Sequence, residues 1–205
     1  ERNSLKAVRH EINMISEPDN GLYDAMNKAI NMATGDYIVF LNAGDKFHSA
    51  DVLSNIAKCA QSMPAVIYGN TDIVDDNGNF LYKRRLQPPA QLDWKSFKHG
   101  MLVCHQAFFA RTDLAKSTPY NLKYRYSADF DWCIRLMKKG KKLGLGTTDS
   151  HIIVADYLEE GMTTKNHRKS LLERFRIMSH HYGLIPTTCR HIYFLWRAAK
   201  HKAKS

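Results

Sequence analysis

Two aspartates stand where a carboxylate can meet a ligand. Asp45 follows the apolar run Tyr37-Ile38-Val39-Phe40-Leu41 and the turn Asn42-Ala43-Gly44. Such a run suits a strand covered on both faces, and in open α/β sheets ligands sit outside the carboxyl ends of the strands. Asp129 falls in the first turn of a helical stretch opened by Ser127, where the helix dipole favours an anion. It either acts on a ligand there or only steadies the helix start. Asp131 and Arg135 lie four apart, acid first, the order that pairs best. His105 heads the strand-like stretch to Arg111, as a hydrogen-bond donor to a ligand or as a satisfied core histidine. Asp75 and Asp76 admit a metal reading, but Asp75-Asp76-Asn77-Gly78-Asn79 has the composition of a hairpin turn. Lys83-Arg84-Arg85 is either a phosphate contact or a solvated strand end.

These residues need elements to hold them. Glu17-Pro18-Asp19-Asn20-Gly21 is a turn cluster. After it, Leu22, Met26, Ile30 and Ala33 fall at helical spacing, and Tyr23, Asp24, Asn27, Lys28 and Asn31 take the polar side. Gly35 is placed to end that helix. A second helix is predicted from Ser49 or Asp51 to about Gln61, with Val52, Ile56, Ala57 and Ala60 inward. Ala65–Gly69 reads as a buried strand, and Ile73-Val74 pairs with Phe80-Leu81-Tyr82 as a hairpin. Gln87–Gly100 reads as a loop-rich linker. The helix opened by Ser127 carries Phe130, Ile134 and Met137 as its stripe and is expected to stop at Gly140. Lys141–Asp156 reads as two short strands, with Ile152–Ala155 buried. Ile12–Ile15 reads as a further short strand.

The chain has 205 residues and a formal net charge of +10. Residues 165–205 hold ten Lys and Arg against Glu173 alone, a net of +9, so the first 164 are near neutral at +1. Such asymmetry points to a tail with a partner of its own. Two helical patterns fill the tail. The first places Leu171, Leu172, Phe175 and Met178 together. The second mixes Ile192, Tyr193, Leu195, Trp196 and Ala199 with Arg190, Arg197 and Lys200. A basic amphipathic helix with Trp and Tyr suits an anionic membrane surface, or it packs on the body with its basic face in solvent. The near-neutral body and the absence of a recognised binding module argue against nucleic acid. No apolar run is long enough to span a bilayer. Cys59, Cys104, Cys133 and Cys189 are scattered with no C-x-x-C pair, as expected of reduced thiols. The expected location is cytoplasmic, peripheral on a membrane if the tail binds one.

The phrase DNGLYDAMNKAINMATGDYIVFLNAGD, read as one unit, resembles the middle of the nucleotide-sugar-binding domain of glycosyltransferase family 2. Similar helices in that family lead through a Gly-acid turn into a strand ending in an acidic motif. The resemblance extends more weakly to about Thr164. His105-Gln106-Ala107-Phe108-Phe109-Ala110-Arg111 resembles the family's His-Gln-x-x-Phe-x-Arg segment. Tyr126–Trp132 resembles its "ED" motif, and Tyr157–Thr164 its loop near the donor diphosphate. Two positions depart from the pattern: Met26 stands where the family often has Arg, and Asn42 and Gly44 leave Asp45 as the one acid of its motif.

The resemblance implies a GT-A-like α/β fold, a mixed and mostly parallel sheet flanked by helices. Residues 1–164 would form a partial glycosyltransferase domain and residues 165–205 a basic helical tail. The family's opening strand, helix and acid-containing strand have no counterpart here, so the first βαβ part is expected to be missing. The implied activity is inverting, metal-assisted sugar transfer from a nucleotide-sugar to a glycan or lipid-linked acceptor, in surface polysaccharide synthesis. Asp45 would hold Mn²⁺ or Mg²⁺, and Asp129 would be the general base with Asp131 in support. Asp24, Asn27 and Lys28 would meet the donor or its phosphates, His105 the substrate, and Thr163 a phosphate. The alternative is a non-catalytic remnant of such a domain that binds a partner or membrane.

Overall fold

A computed structural model describes residues 11–159 and 167–202. The elements in chain order are α1 (Leu22–Met32), β1 (Tyr37–Ile38), β2 (Lys46–Phe47), α2 (Val52–Cys59), β3 (Val66–Val74), β4 (Phe80–Lys83), β5 (Phe108–Arg111), α3 (Thr112–Lys116), α4 (Ala128–Lys142), β6 (Thr147–Leu158), α5 (His167–Tyr182) and α6 (Leu184–Lys202). Short 3₁₀ segments at Ala60–Ser62, Trp94–His99 and His105–Ala107 join them. The sheet order is β1-β5-β3-β6-β2, with β4 also on β3.

The sheet is mixed, but the expectation of mostly parallel pairing is corrected. Only β3 with β6 is parallel; the other four pairings are antiparallel. β1, β3 and β6 run in one direction, yet β5 lies between β1 and β3 and runs against both. A parallel pair needs a long crossover, and the passage from β3 to β6 has one, through α3 and α4. The carboxyl ends of β1 and β6 therefore share one edge of the sheet, with the start of β5 beside them.

β3 is the axis of the core, and eight of its nine residues are buried. Its Gly69 admits no side chain: a Cβ there would sit 2.6 Å from Ser150 Oγ and 2.7 Å from the Ile152 carbonyl. At that point β6 carries extra residues, since Tyr68 pairs with Asp149 but Asn70 with Ile153. β6 is thus one long strand bulged at its middle, not the two short strands expected. α4 buries Phe130, Trp132, Cys133, Ile134, Leu136 and Met137. It runs two residues past Gly140, whose Cβ would lie 2.4 Å from that of Ala65. The glycine marks a close helix–strand approach rather than a helix end.

Other expectations shift in detail. Ile12 and Met14 are 89% and 90% exposed and belong to no strand. Only Tyr37 and Ile38 of the run to Leu41 are paired, with Arg111 and Ala110. The hairpin forms as read, with Asp75 accepting from the amides of Asn77 and Asn79 and from the Asn79 side chain. Those bonds spend the Asp75 carboxylate on the turn. In the tail, α5 turns Ser170, Glu173, Ile177 and Met178 inward, and Leu171 and Leu172 face outward. Ile177 and Met178 join the core cluster of the body. Of the stripe read from Leu171, Leu172, Phe175 and Met178, Met178 is buried and the two leucines are not, since Ser170 and Glu173 make the inward contacts of that turn.

Candidate active site

Beyond the ends of β1 and β6 opens a cleft of about 560 Å³, walled by α1, the loop Phe40–Asp45, His105, the entry to α4 and the end of β6. Asp45 and Asp129 both line it. The turn that presents Asp45 closes with its amide on the Asn42 carbonyl at 3.0 Å. Gly44 supplies the positive φ (92°), a conformation that costs other residues dearly. The carboxylate accepts from the Asn42 amide at 3.2 Å, the Leu158 amide at 3.2 Å and Gln106 Nε2 at 2.7 Å. Gln106 is only 1% exposed, so its grip on Asp45 is fixed by packing.

Asp129 is held as firmly from the other wall. Its Oδ1 accepts from the Phe130 amide at 2.8 Å and from the Tyr23 hydroxyl at 3.2 Å. His105 Nδ1 stands 3.6 Å from Oδ2, too long for a hydrogen bond. Burial works to raise the Asp129 carboxyl. His105, Arg174 and the Phe130 amide outweigh it and hold the group below the ordinary carboxylate range. With 16% of its side chain exposed, Asp129 is ionised and open to the cleft. Tyr23, buried beside that charge, has its hydroxyl pushed far up and stays a donor.

The two acids are linked through one ring. His105 is 14% exposed and its Nε2 lies 3.1 Å from Asn42 Nδ2. With the amide donating, the ring proton is left on Nδ1, facing Asp129. The path Asp129–His105–Asn42–Asp45 therefore runs across the floor of the cleft. Of the two nitrogens of His105, Nε2 is engaged by Asn42 and Nδ1 faces Asp129 beyond hydrogen-bond length.

The other residues singled out in the sequence lie elsewhere. Asp24 accepts from the Asn20 amide and side chain at the start of α1. Asn27 exchanges two hydrogen bonds with the Tyr120 backbone. Lys28 is bound to the Pro18 carbonyl and pairs with Glu17 at 2.8 Å. None of these three lines the cleft, and Thr163 lies outside the described residues. Among the described residues no three His, Cys, Asp or Glu side chains gather as a metal-ligand set. Tyr23, Asn42, Gln106, Arg125 and Tyr126 belong to the site or its support without having been singled out. The signal for Asn42 lay in the motif itself, three residues before Asp45.

A two-acid cleft at the edge of a mixed sheet flanked by helices defines a GT-A-like α/β protein. The chain belongs to glycosyltransferase family 2: the model "Glycosyl transferase family 2" matches residues 3–117. It is 37% identical over 148 residues to the "PGL/p-HBAD biosynthesis glycosyltransferase" of Mycobacterium bovis, covering 71% of this chain and 54% of that protein. The "Amylovoran biosynthesis glycosyltransferase AmsB" of Erwinia amylovora is 28% identical over 127 residues, 58% of this chain and 42% of its own length. The chain thus spans about half the length of these curated relatives. In fold it matches S. aureus TarS crystallised with UDP-GlcNAc, with a TM-score of 0.62 at 12% identity, over 90% of this chain and 56% of TarS.

Proposed function

We propose that this cleft transfers a sugar, with inversion, from a nucleotide-sugar to a hydroxyl of a glycan or lipid-linked acceptor in surface polysaccharide assembly. The observation that carries the reading is the placement of Asp45 and Asp129 in one cleft, since sugar transfer makes two demands that one carboxylate does not meet. The acceptor oxygen forms a bond to the anomeric carbon as the bond from that carbon to the diphosphate breaks. The bonding pair leaves with the diphosphate, and the acceptor proton must go to a positioned base. Asp129 is that base, and His105 and Tyr23 orient its two oxygens. The nucleotide-sugar bound by TarS and the glycosyltransferase names of the relatives support the donor class.

Asp45 suits a Mn²⁺ or Mg²⁺ site of one kind only. Mg²⁺ is usually held by one or two carboxylates plus substrate phosphates and water, and Asp45 would be the carboxylate that holds it, Asp129 being kept for the acceptor. When bound, the ion neutralises the charge that develops on the departing diphosphate. Gln106 and the Leu158 amide keep the Asp45 oxygens aimed while donor arrives. The outward face of α6, with Leu184, Ile185, Ile192, Tyr193 and Trp196 exposed, is proposed to lie on an anionic membrane where a lipid-linked acceptor would be found.

The test is Asp129→Asn in the complete native protein, assayed by nucleotide release from UDP-GlcNAc, UDP-glucose and GDP-mannose. Loss of the base should cost roughly 10²- to 10⁴-fold in kcat with donor binding kept. A variant that turns over like wild type removes Asp129 from the mechanism. A wild-type protein that binds these donors but never releases nucleotide would favour the non-catalytic alternative.

A further inference from the structure

Three consecutive backbone amides at the cleft converge on one carboxylate. Arg125 N lies 2.9 Å from Glu173 Oε1, and Tyr126 N and Ser127 N lie 2.8 and 2.9 Å from Oε2. Glu173 is 9% exposed and comes from α5, far along the chain. The Ser127 amide, at the N-cap of α4, has no partner inside that helix, and the amides of Arg125 and Tyr126 precede it. Ser127, the N-cap of α4, makes no capping bond with its own side chain. Its hydroxyl turns instead to Ser170, 2.9 Å from that hydroxyl and 3.3 Å from that carbonyl. Successive amides form an anion-binding concavity, and bonds to an ionised acceptor are the strong ones. Here the anion is supplied by the chain itself.

The location of the clamp gives it a bearing on chemistry. Arg125 and Tyr126 line the cleft, and Asp129 follows two residues after Ser127. A reacting group displaced by about 1 Å can lose on the order of a hundredfold in rate. We infer that Glu173 is a positioning residue for transfer, fixing the backbone of residues 125–127 so that Asp129 and the Arg125–Tyr126 wall face the acceptor hydroxyl. This rests on the reading of Asp129 as base.

The experiment compares wild type, Asp129→Asn, Glu173→Gln, Glu173→Asp and Ser170→Ala in the complete native protein. Its readouts are nucleotide release from UDP-GlcNAc, UDP-glucose and GDP-mannose, thermal unfolding, and hydrogen exchange at residues 125–127. Glu173→Gln loses one acceptor oxygen and the charge. It should lower kcat by about tenfold or more while donor KM stays within about twofold, the split expected of lost orientation. Exchange at 125–127 should quicken, and Glu173→Asp should recover part of the rate. A folded Glu173→Gln protein with wild-type kcat overturns the inference, as does a fall in kcat no larger than the lost folded fraction. If Glu173→Gln does not fold, Ser170→Ala decides: a kcat lowered about threefold or more at unchanged KM supports the clamp, and an unchanged kcat overturns it. An active Asp129→Asn protein would instead overturn the reading of the base. An inactive Asp129→Asn beside a fully active Glu173→Gln would overturn the clamp alone.

Discussion

Asp129 and Asp45 reach the cleft by different means, and each means sets a different sensitivity. Asp45 depends on a turn and on a buried amide, Gln106, whose donor lies 2.7 Å from Oδ2. Asp45→Ala should abolish the cation-dependent part of donor binding, read by titrating UDP-GlcNAc with and without Mn²⁺. Unchanged affinity in the presence of Mn²⁺ would remove Asp45 as the ion's ligand. That both acids reach the cleft was legible in the sequence, because a carboxylate after an apolar run or in a first helical turn is marked by its neighbours, although the run before Asp45 is only half-buried. Gln106 and Glu173 were not. A neutral amide leading into an apolar stretch carries no mark of the acid it will meet, and Glu173, the lone acid among ten cations, reads as a solvated charge. Asp24, Asn27 and Lys28 show the converse: a polar helix face says which residues avoid the core, not which solvent-side partner they find.

Elements impose their own constraints, most plainly where α4 meets α5. Asp131 is 2% exposed, paired with Arg135 Nε at 2.6 Å and His181 Nε2 at 2.8 Å. Next to it, Tyr182 stacks on Trp94 and donates to its carbonyl at 2.6 Å. Burial raises the Asp131 carboxyl, but His181 and Arg135 prevail and hold it below its ordinary range. Its stabilising contribution is therefore complete above the unfolded value, about 3.9. It is lost as pH falls from there through the lower native value. Removing one partner of a buried pair costs about 3–5 kcal/mol. Asp131→Ala should thus lower Tm by roughly 6–20 °C at neutral pH and flatten the acid limb of the stability curve. A variant that unfolds with the wild-type acid limb would show that Asp131 does not produce it. Gly69 sets a second constraint: Gly69→Ala forces the bulge of β6 apart and should cost about 1–3 kcal/mol, measured by denaturant midpoint. A midpoint equal to that of wild type would mean that the strands part freely. The three longer helices of the body, α1, α2 and α4, were readable because their stripes are strong, whereas the five residues of α3 are too few to show a period. The pairing order of the strands was not, since an apolar run does not say which neighbour it will take.

At the scale of the whole molecule, charge and apolar surface are segregated. α6 presents Leu184, Ile185, Ile192, Tyr193 and Trp196 on one exposed side, and no acid follows Glu173 in the chain. No helix among the described residues is long and apolar enough to cross a membrane, so a surface-lying helix is the form of contact proposed. Deleting everything from Lys165 would also remove Glu173, Ile177 and Met178 from the body, and the result would confuse unfolding with release. Ending the chain at Gly183 instead should leave a folded protein that no longer sediments with vesicles rich in phosphatidylglycerol. If it still sediments with them, α6 is not the membrane contact. The charge asymmetry was visible in the sequence. The division of the tail into a helix whose apolar residues enter the core and one that packs on that helix while leaving large apolar residues exposed was not, because both are basic and both carry leucines.

Among the described residues Glu173 grips main-chain amides, so the grip is blind to which side chains stand at positions 125 and 126. Those two can be exchanged for others in the course of descent while the scaffold beneath them holds still. A lineage built this way could retune what its cleft accepts without having to reinvent how Asp129 is aimed.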